Sequence, residues 1–257
     1  MPLTAMQVYK SLPKDKANCG DCGFPTCMAF AMQVAAKQKA ITDCPHLSEE
    51  AKDQMADASA PPMKLVRIGP TGEQGIEIGQ ETVMFRHEEK FHKPPALAAT
   101  VPSSLSDEEA AARIEAINNA RFTRVGEEIG VRLAAVDTEG LSAEAAAGRV
   151  KTLADRSRTP FVLMGSEPGA LGAAVAAIAD RKPLVYRATQ QNAEAMVKIA
   201  ADNKCPLAVS AGNLEALADL AKSAKDKGVE ELVLSFDGRD TVPAIRAITT
   251  ARRAAIG

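Results

Sequence analysis

Val131-Arg132-Leu133-Ala134-Ala135-Val136-Asp137, then the amphipathic stretch from Ala143 to Arg156, then Phe161-Val162-Leu163-Met164 set two short apolar runs around one helix-forming segment. Runs this short are strand-sized, and the alternation of strand and helix over roughly 30 residues is the pattern of a βαβ unit with a right-handed crossover. The same texture continues on both sides. Strands are expected at Ala96 to Val101, Val131 to Val136, Phe161 to Met164, Leu184 to Tyr186, Leu207 to Val209 and Leu232 to Phe236. Helices are expected at Asp107 to Ile129, Ala143 to Arg156, Ala170 to Arg181, Ala193 to Asn203, Leu214 to Lys227 and from Val242 to about Ala255. A closed eight-unit barrel takes about 250 residues and only about 160 follow the front segments, so the pattern allows an open doubly wound sheet or part of a barrel.

Upstream of this array the texture is different. Lys64 to Ile68 and Ile76 to Ile78, separated by glycine-bearing sequence from Gly69 to Gly75, read as a hairpin, with Glu81 to Phe85 as a third strand of a small meander. No Gly-Lys-Ser/Thr follows these glycines, so they are turns and not a phosphate loop. Ser59-Ala60-Pro61-Pro62 breaks the preceding helix, which opens at Ser48-Glu49-Glu50-Ala51 with a cap and acids in its first turn. The expected division is 1–58 for a small helical cluster domain, 59–95 for a Pro-rich hinge and hairpin, and 96–257 for the βα array.

The first of these regions holds the chemistry. Cys19, Cys22, Cys27 and Cys44 are spaced C-x2-C-x4-C-x16-C, and four thiolates at such intervals satisfy a cubane [4Fe–4S] cluster. Gly20 and Gly23 each follow a cysteine, allowing tight turns that aim N–H groups at sulfur. Pro45 follows the last cysteine. Met28 to Ala36 is a strong helix former, which places Cys27 in a first helical turn with Thr26 near the cap, where an anionic centre is favoured. Structural zinc would prefer two similar CxxC knuckles, and only the Cys19/Cys22 pair has that spacing. Disulfides are disfavoured because Met1-Pro2-Leu3-Thr4 has neither the basic nor the apolar part of an export signal, pointing to a reducing cytoplasm.

Composition excludes several classes. With 31 basic and 33 acidic residues, a net charge of −2, no Trp and two Tyr, the chain offers neither a basic field nor stacking platforms for nucleic acid. Its 46% hydrophobic content can fill a core, yet the longest apolar stretch, Ala170 to Ala179, is too short to span a membrane.

At the carboxyl ends of the strands, where α/β folds collect ligands, stand Asp137-Thr138-Glu139, Gly165-Ser166-Glu167, Arg187-Ala188-Thr189-Gln190, Ser210-Ala211-Gly212-Asn213 and Asp237-Gly238-Arg239-Asp240. Each could instead cap the helix that follows; Asp137 and Asp237 are the two candidates to watch. His46 could sit over the cluster, whereas His87 and His92 do not make an H-E-x-x-H zinc helix and are expected to be structural or solvent-facing. Cys205 reads as a core thiol. No nucleophile elbow or Ser-His-Asp order supports hydrolysis.

Met1-Pro2-Leu3-Thr4, the run from Asn18 to Ala31, Asp43-Cys44-Pro45 and Arg86-His87-Glu88 resemble the large (gamma) subunit of the corrinoid iron–sulfur protein, part of the acetyl-CoA decarbonylase/synthase system of the Wood–Ljungdahl pathway. The resemblance runs through the whole chain and is most specific in the cysteine block. It implies an incomplete (β/α) TIM-type barrel behind the cluster domain, since in the family the large subunit continues into a full barrel and a corrinoid-binding domain; the chain is therefore expected to be a truncated product or fragment. It implies a methyl carrier subunit, in a heterodimer with a small barrel subunit, that takes a methyl group from methyl-tetrahydropterin through a methyltransferase and delivers it to acetyl-CoA synthase. It further implies that Cys19, Cys22, Cys27 and Cys44 hold the [4Fe–4S] cluster that returns Co(II) to Co(I). The cobalt corrinoid would belong to the complete complex, because this chain has no D-x-H-x-x-G run to hold cobalamin unaided. The alternative is a pterin-dependent methyltransferase barrel with a fused electron-transfer domain, its donor bound through Asp137, Asp237 and Asn213; a third is a structural zinc module on an interaction domain.

Overall fold

The computed structural model describes residues 4–13, 17–36, 39, 41–48, 63–72, 74–81, 83, 87, 90–93, 95–238 and 240–256. Two compact units divide between Lys64 and Leu65. The helix expected from Ser48 onward and the Ser59-Pro62 break fall outside the described residues, apart from Ser48 itself.

In the first unit, α1 (Ala5–Ser11) opens with a capping box in which Thr4 and Gln7 satisfy each other's backbone N–H groups. α2 (Cys27–Ala35) is capped by Thr26, whose hydroxyl accepts from the Ala29 N–H at 3.1 Å. A short 3-10 turn, Ile41–Asp43, leads into Cys44. Val8, Leu12, Phe30, Ala31, Val34, Ile41 and Leu47 form the core, with Cys44 buried among them. Among the described residues this core is small, and in small domains metal ligation contributes folding energy directly.

The second unit begins with an antiparallel hairpin, β1 (Val66–Ile68) and β2 (Ile76–Ile78). Then come β3 (Ala98–Val101), α3 (Asp107–Asn119), a second hairpin of β4 (Arg121–Arg124) and β5 (Glu127–Gly130), and β6 (Leu133–Asp137). The chain continues through α4 (Ala143–Arg156), β7 (Phe161–Met164), α5 (Pro168–Ala177), β8 (Leu184–Ala188), α6 (Ala193–Asp202), β9 (Leu207–Ala211), α7 (Leu214–Asp226), β10 (Leu232–Phe236) and α8 (Thr241–Ile256). The six strands of the main sheet are all parallel and lie in the order β3-β6-β7-β8-β9-β10. The order follows the sequence without reversal, so the topological switch of a doubly wound sheet is absent among the described residues and the arrangement is that of consecutive barrel strands.

The two faces of the sheet confirm this. Ala134, Val136, Phe161, Leu163, Val185, Leu207 and Val209 pack against Ile114, Val150, Leu153, Leu171, Val175, Met196 and Leu217 of the helices. Their strand neighbours Leu133, Ala135, Val162, Leu184 and Ala208 point the other way, onto Val66, Ile68 and Ile76 of the β1–β2 hairpin. Helices thus cover one face only, and the hairpin fills the inner face near the amino ends of the strands. Backbone contacts fix it there: the Gly69 N–H donates to the Lys182 carbonyl at 2.9 Å, and the Arg67 N–H to Glu231 Oε1 at 3.3 Å. Burying three large aliphatic side chains in this way stabilises the unit by roughly 5–8 kcal/mol as an upper estimate.

Two expectations change. The helix expected from Asp107 to Ile129 stops at Asn119, because Asn118-Asn119 are weak formers and Phe122, Thr123, Val125 and Ile129 favour strands around a Val125-Gly126 turn. In the meander's third strand, Glu81 and Val83 are not in a strand, and Thr82, Met84 and Phe85 lie outside the described residues.

Candidate metal centre

The cysteine loop is shaped by three left-handed residues: Asn18 (φ 61°), Gly20 (φ 84°) and Gly23 (φ 83°). Asparagine and glycine are the residues that tolerate this region. The Gly23 N–H closes a turn on the Gly20 carbonyl at 2.9 Å, which brings the chain around between Cys19 and Cys22. Asn18 then ties the loop to the helix twice. Its backbone N–H donates to Cys27 Sγ at 3.1 Å, and its side-chain Oδ1 accepts from the Cys27 N–H at 2.8 Å.

Cys27 is the first residue of α2, so the partial positive charge of the helix start lies beside its sulfur. Cys22 and Cys27 are partly buried against the small core, Cys44 is buried within it, and Cys19 is exposed. Phe24 and Phe30, with ring centroids 5.9 Å apart, line the apolar side. His46 Nε2 lies 2.5 Å from an Asp21 carboxylate oxygen, and both are within 4.8 Å of Cys19 Sγ.

Among the described residues that trio is the only set of three or more His, Cys, Asp or Glu ligand atoms within 4.8 Å of one another. No three of the four cysteine sulfurs are therefore gathered as four thiolates on a single zinc would be, about 3.8 Å apart for Zn–S bonds of ~2.3 Å. Four thiols on one small unit, with an N–H aimed at one sulfur and a helix start beside it, suit an iron–sulfur centre.

The strand ends of the second unit carry a separate polar group. The Arg187 guanidinium donates to an Asp237 carboxylate oxygen and, at 3.2 Å, to Ser210 Oγ; Ser210 in turn donates to the same Asp237 oxygen at 2.9 Å. Asp137 accepts from the Glu139 N–H at 3.0 Å and so shapes its own loop. Glu139 takes the N–H and hydroxyl of Ser166 at 2.8 and 2.6 Å, which hold its carboxyl below the usual range. Asn213 caps α7 by accepting from the Ala216 N–H at 2.8 Å. The structure brings Arg187, Ser210 and Asp237 together, leaves Asp137 in its own turn and uses Asn213 as a cap. The Arg187–Asp237 pair could not be read from a sequence separation of 50 residues; the shared position at successive strand ends was the available signal.

His87 and His92 are exposed, and Arg239 lies outside the described residues. Cys205 is buried, and burial pushes its thiol up to about 11. No described helix is long and apolar enough to cross a membrane.

Comparison with known proteins addresses both units. A family model described as "Putative Fe-S cluster" matches residues 12–46, and one for the CO dehydrogenase/acetyl-CoA synthase delta subunit matches residues 65–257. The corrinoid/iron-sulfur protein large subunit of Moorella thermoacetica is 41% identical over 256 residues, covering 100% of this chain and 57% of the relative. The acetyl-CoA decarbonylase/synthase complex subunit gamma of Methanopyrus kandleri is 35% identical, covering 99% of this chain and 55% of the relative. That of Methanothermobacter thermautotrophicus is 32% identical, covering 100% and 56%. The chain spans somewhat over half the length of these curated relatives.

Proposed function

We propose, from the premise that the chain belongs to the corrinoid/iron–sulfur protein large (gamma) subunit family of the acetyl-CoA decarbonylase/synthase system, that its first unit holds a [4Fe–4S] cluster through Cys19, Cys22, Cys27 and Cys44 in the service of a methyl-carrying corrinoid. The observation that carries this reading is Cys27 at the start of α2 with the Asn18 N–H on its sulfur. When bound, the cluster supplies one electron at low potential, suited to restoring Co(I) from Co(II).

The residues around it have separable tasks. Asn18 and the start of α2 stabilise negative charge at Cys27. Phe24, Phe30 and the core around Cys44 exclude water from one side. Cys19, exposed beside Asp21 and His46, marks the side on which an acceptor can approach closely.

The methyl group would come from methyl-tetrahydropterin through a methyltransferase and leave to acetyl-CoA synthase, in a cytoplasmic complex. The corrinoid would be held in that complete complex, together with a small barrel subunit, and not by these residues alone. In this reading the barrel unit is a scaffold, and Arg187, Ser210 and Asp237 hold the carboxyl ends of β8, β9 and β10 together.

Anaerobic purification tests the reading. A brown protein with about four irons per chain, bleached by dithionite, is expected, and each of Cys19→Ala, Cys22→Ala, Cys27→Ala and Cys44→Ala should lower the iron content. A colourless, zinc-loaded protein would overturn it. Methyl transfer from methyl-tetrahydropterin to free cobalamin by this chain alone would favour a methyltransferase barrel instead; none is expected.

A further inference from the structure

Cys19 and Asp21 flank Gly20, whose φ of 84° turns the chain sharply between them, and the Gly23 N–H closes that turn on the Gly20 carbonyl at 2.9 Å. His46 reaches the same place from the other end of the cysteine block. It lies between Cys44 and Leu47, 7% and 5% exposed, whose burial in the small core anchors the segment that carries its ring. One sulfur, one carboxylate oxygen and one imidazole nitrogen thus lie within 4.8 Å of one another, His46 Nε2 being 2.5 Å from Asp21.

A surface contact between histidine and aspartate needs no thiol. The third donor changes the chemistry. On a four-coordinate divalent ion, neighbouring N, O and S ligand atoms stand about 3.4–3.6 Å apart, so closing the trio asks His46 and Asp21 to part by about 1 Å and the sulfur to move in by a similar distance or less. Cys19 as thiolate and Asp21 as carboxylate bring two negative charges, which a divalent ion neutralises. Thiolate and imidazole together favour Fe2+, Co2+ or Zn2+ over Mg2+ and Ca2+. Cys19 and Asp21 are exposed and His46 is half-buried, which leaves room for water as a further ligand.

We propose that Cys19, Asp21 and His46 form a mononuclear site for ferrous ion, through which iron enters the first unit. The inference rests on the cluster reading above, because Cys19 belongs to both sites. Of the four thiols in the block Cys19 is exposed, Cys22 and Cys27 are partly buried and Cys44 is buried, so an ion arriving from solvent meets Cys19 first. As the Fe–S bond forms, Cys19 loses its S–H proton to water; the ion stays ferrous and no electron moves. Asp21 and His46 are then the ligands to be exchanged for thiolates, and the ion need not leave Cys19.

The test titrates the full chain, freed of iron anaerobically with a chelator, using Co2+ as the probe. One Co2+ should bind with a thiolate-to-cobalt charge-transfer absorption that Cys19→Ala removes and Cys22→Ala leaves in place. His46→Ala and Asp21→Asn should each raise the dissociation constant at least ~10-fold, the lower bound for losing even an outer partner of a metal site, with circular dichroism unchanged. Given limiting ferrous ion and sulfide, the same two variants should take up iron about tenfold more slowly yet reach the wild-type iron content, since neither residue is a cluster ligand. Co2+ binding that Cys22→Ala removes and His46→Ala leaves unchanged is a site of several thiolates; it overturns the inference and leaves the cluster reading standing. Absence of Co2+ binding by the wild-type chain, or a lower final iron content in His46→Ala, likewise overturns the inference alone. An anaerobically purified wild-type chain without iron overturns the cluster reading and this inference with it.

Discussion

Asn18 offers the sharpest test of how the cysteine loop is held. Its side chain caps the Cys27 N–H and its backbone sits at φ 61°. Asn18→Gly removes the cap and keeps the backbone unstrained, a loss of about 1 kcal/mol. Asn18→Ala removes the same cap and leaves in the left-handed region a residue without the polar side chain that lets asparagine tolerate it, adding about 1–2 kcal/mol for a total of about 2–3. If cluster loss begins with opening of this loop, iron release to a chelator should accelerate ~5-fold in the glycine variant and ~30- to 150-fold in the alanine variant, at 1.4 kcal/mol per tenfold. The N–H that meets Cys27 Sγ belongs to the backbone and survives in both, so the reduction potential should move little. The assay is anaerobic release of iron to a coloured chelator, with potentiometry on the same samples. Equal release rates for the two variants would refute the role of backbone strain, and wild-type rates in both would refute the role of Asn18 altogether.

Ile68, 1% exposed in the hairpin that fills the inner face of the sheet, should cost about 2–5 kcal/mol as Ile68→Ala in urea unfolding of the second unit. Arg149 donates to the carbonyls of Ser103 and Leu105 and to Asp107, so Arg149→Met should lose about 2–4 kcal/mol and several degrees of melting temperature, while Asp107→Asn, at an 84% exposed carboxylate, should shift it by less than about 0.5 kcal/mol. The Cys205 thiol is raised from an ordinary 9.0 to about 11 in the folded protein. The stability it contributes is therefore fully present below pH 9 and lost as pH rises toward 11, so alkaline unfolding should weaken in Cys205→Ala and Cys205 should resist alkylation at pH 8 until the protein unfolds.

The features legible in the sequence were local. Cysteine spacing, the Thr26 cap and the helix after Cys27 are written in contiguous residues, and each βα unit announces itself by its own periodicity. What escaped was set by distant partners or by compensating signals. The β4–β5 hairpin hides in Arg-Phe-Thr-Arg-Val-Gly-Glu-Glu-Ile-Gly, where charges at helical spacing imitate the end of α3 and only Val125-Gly126 marks the turn. The contact of His46 with Asp21, 25 residues apart, and the Arg187–Asp237 pair depend on tertiary closure that no local pattern encodes. Barrel or doubly wound was likewise undecidable from alternation alone, because the deciding fact is which sheet face lacks helices.

The hairpin on the inner face of the sheet has a consequence for the order of events during synthesis. Val66, Ile68 and Ile76 emerge from the ribosome before any strand of the sheet they will fill. Their partners Leu133, Val162, Leu184 and Ala208 then arrive one strand at a time, each neighbour in space being the next in translation. The nascent chain thus makes its filling first and lays the staves around it in sequence. Each new βα unit meets an apolar surface already in place, and incomplete stages expose less of the sheet's inner face than an unfilled sheet would.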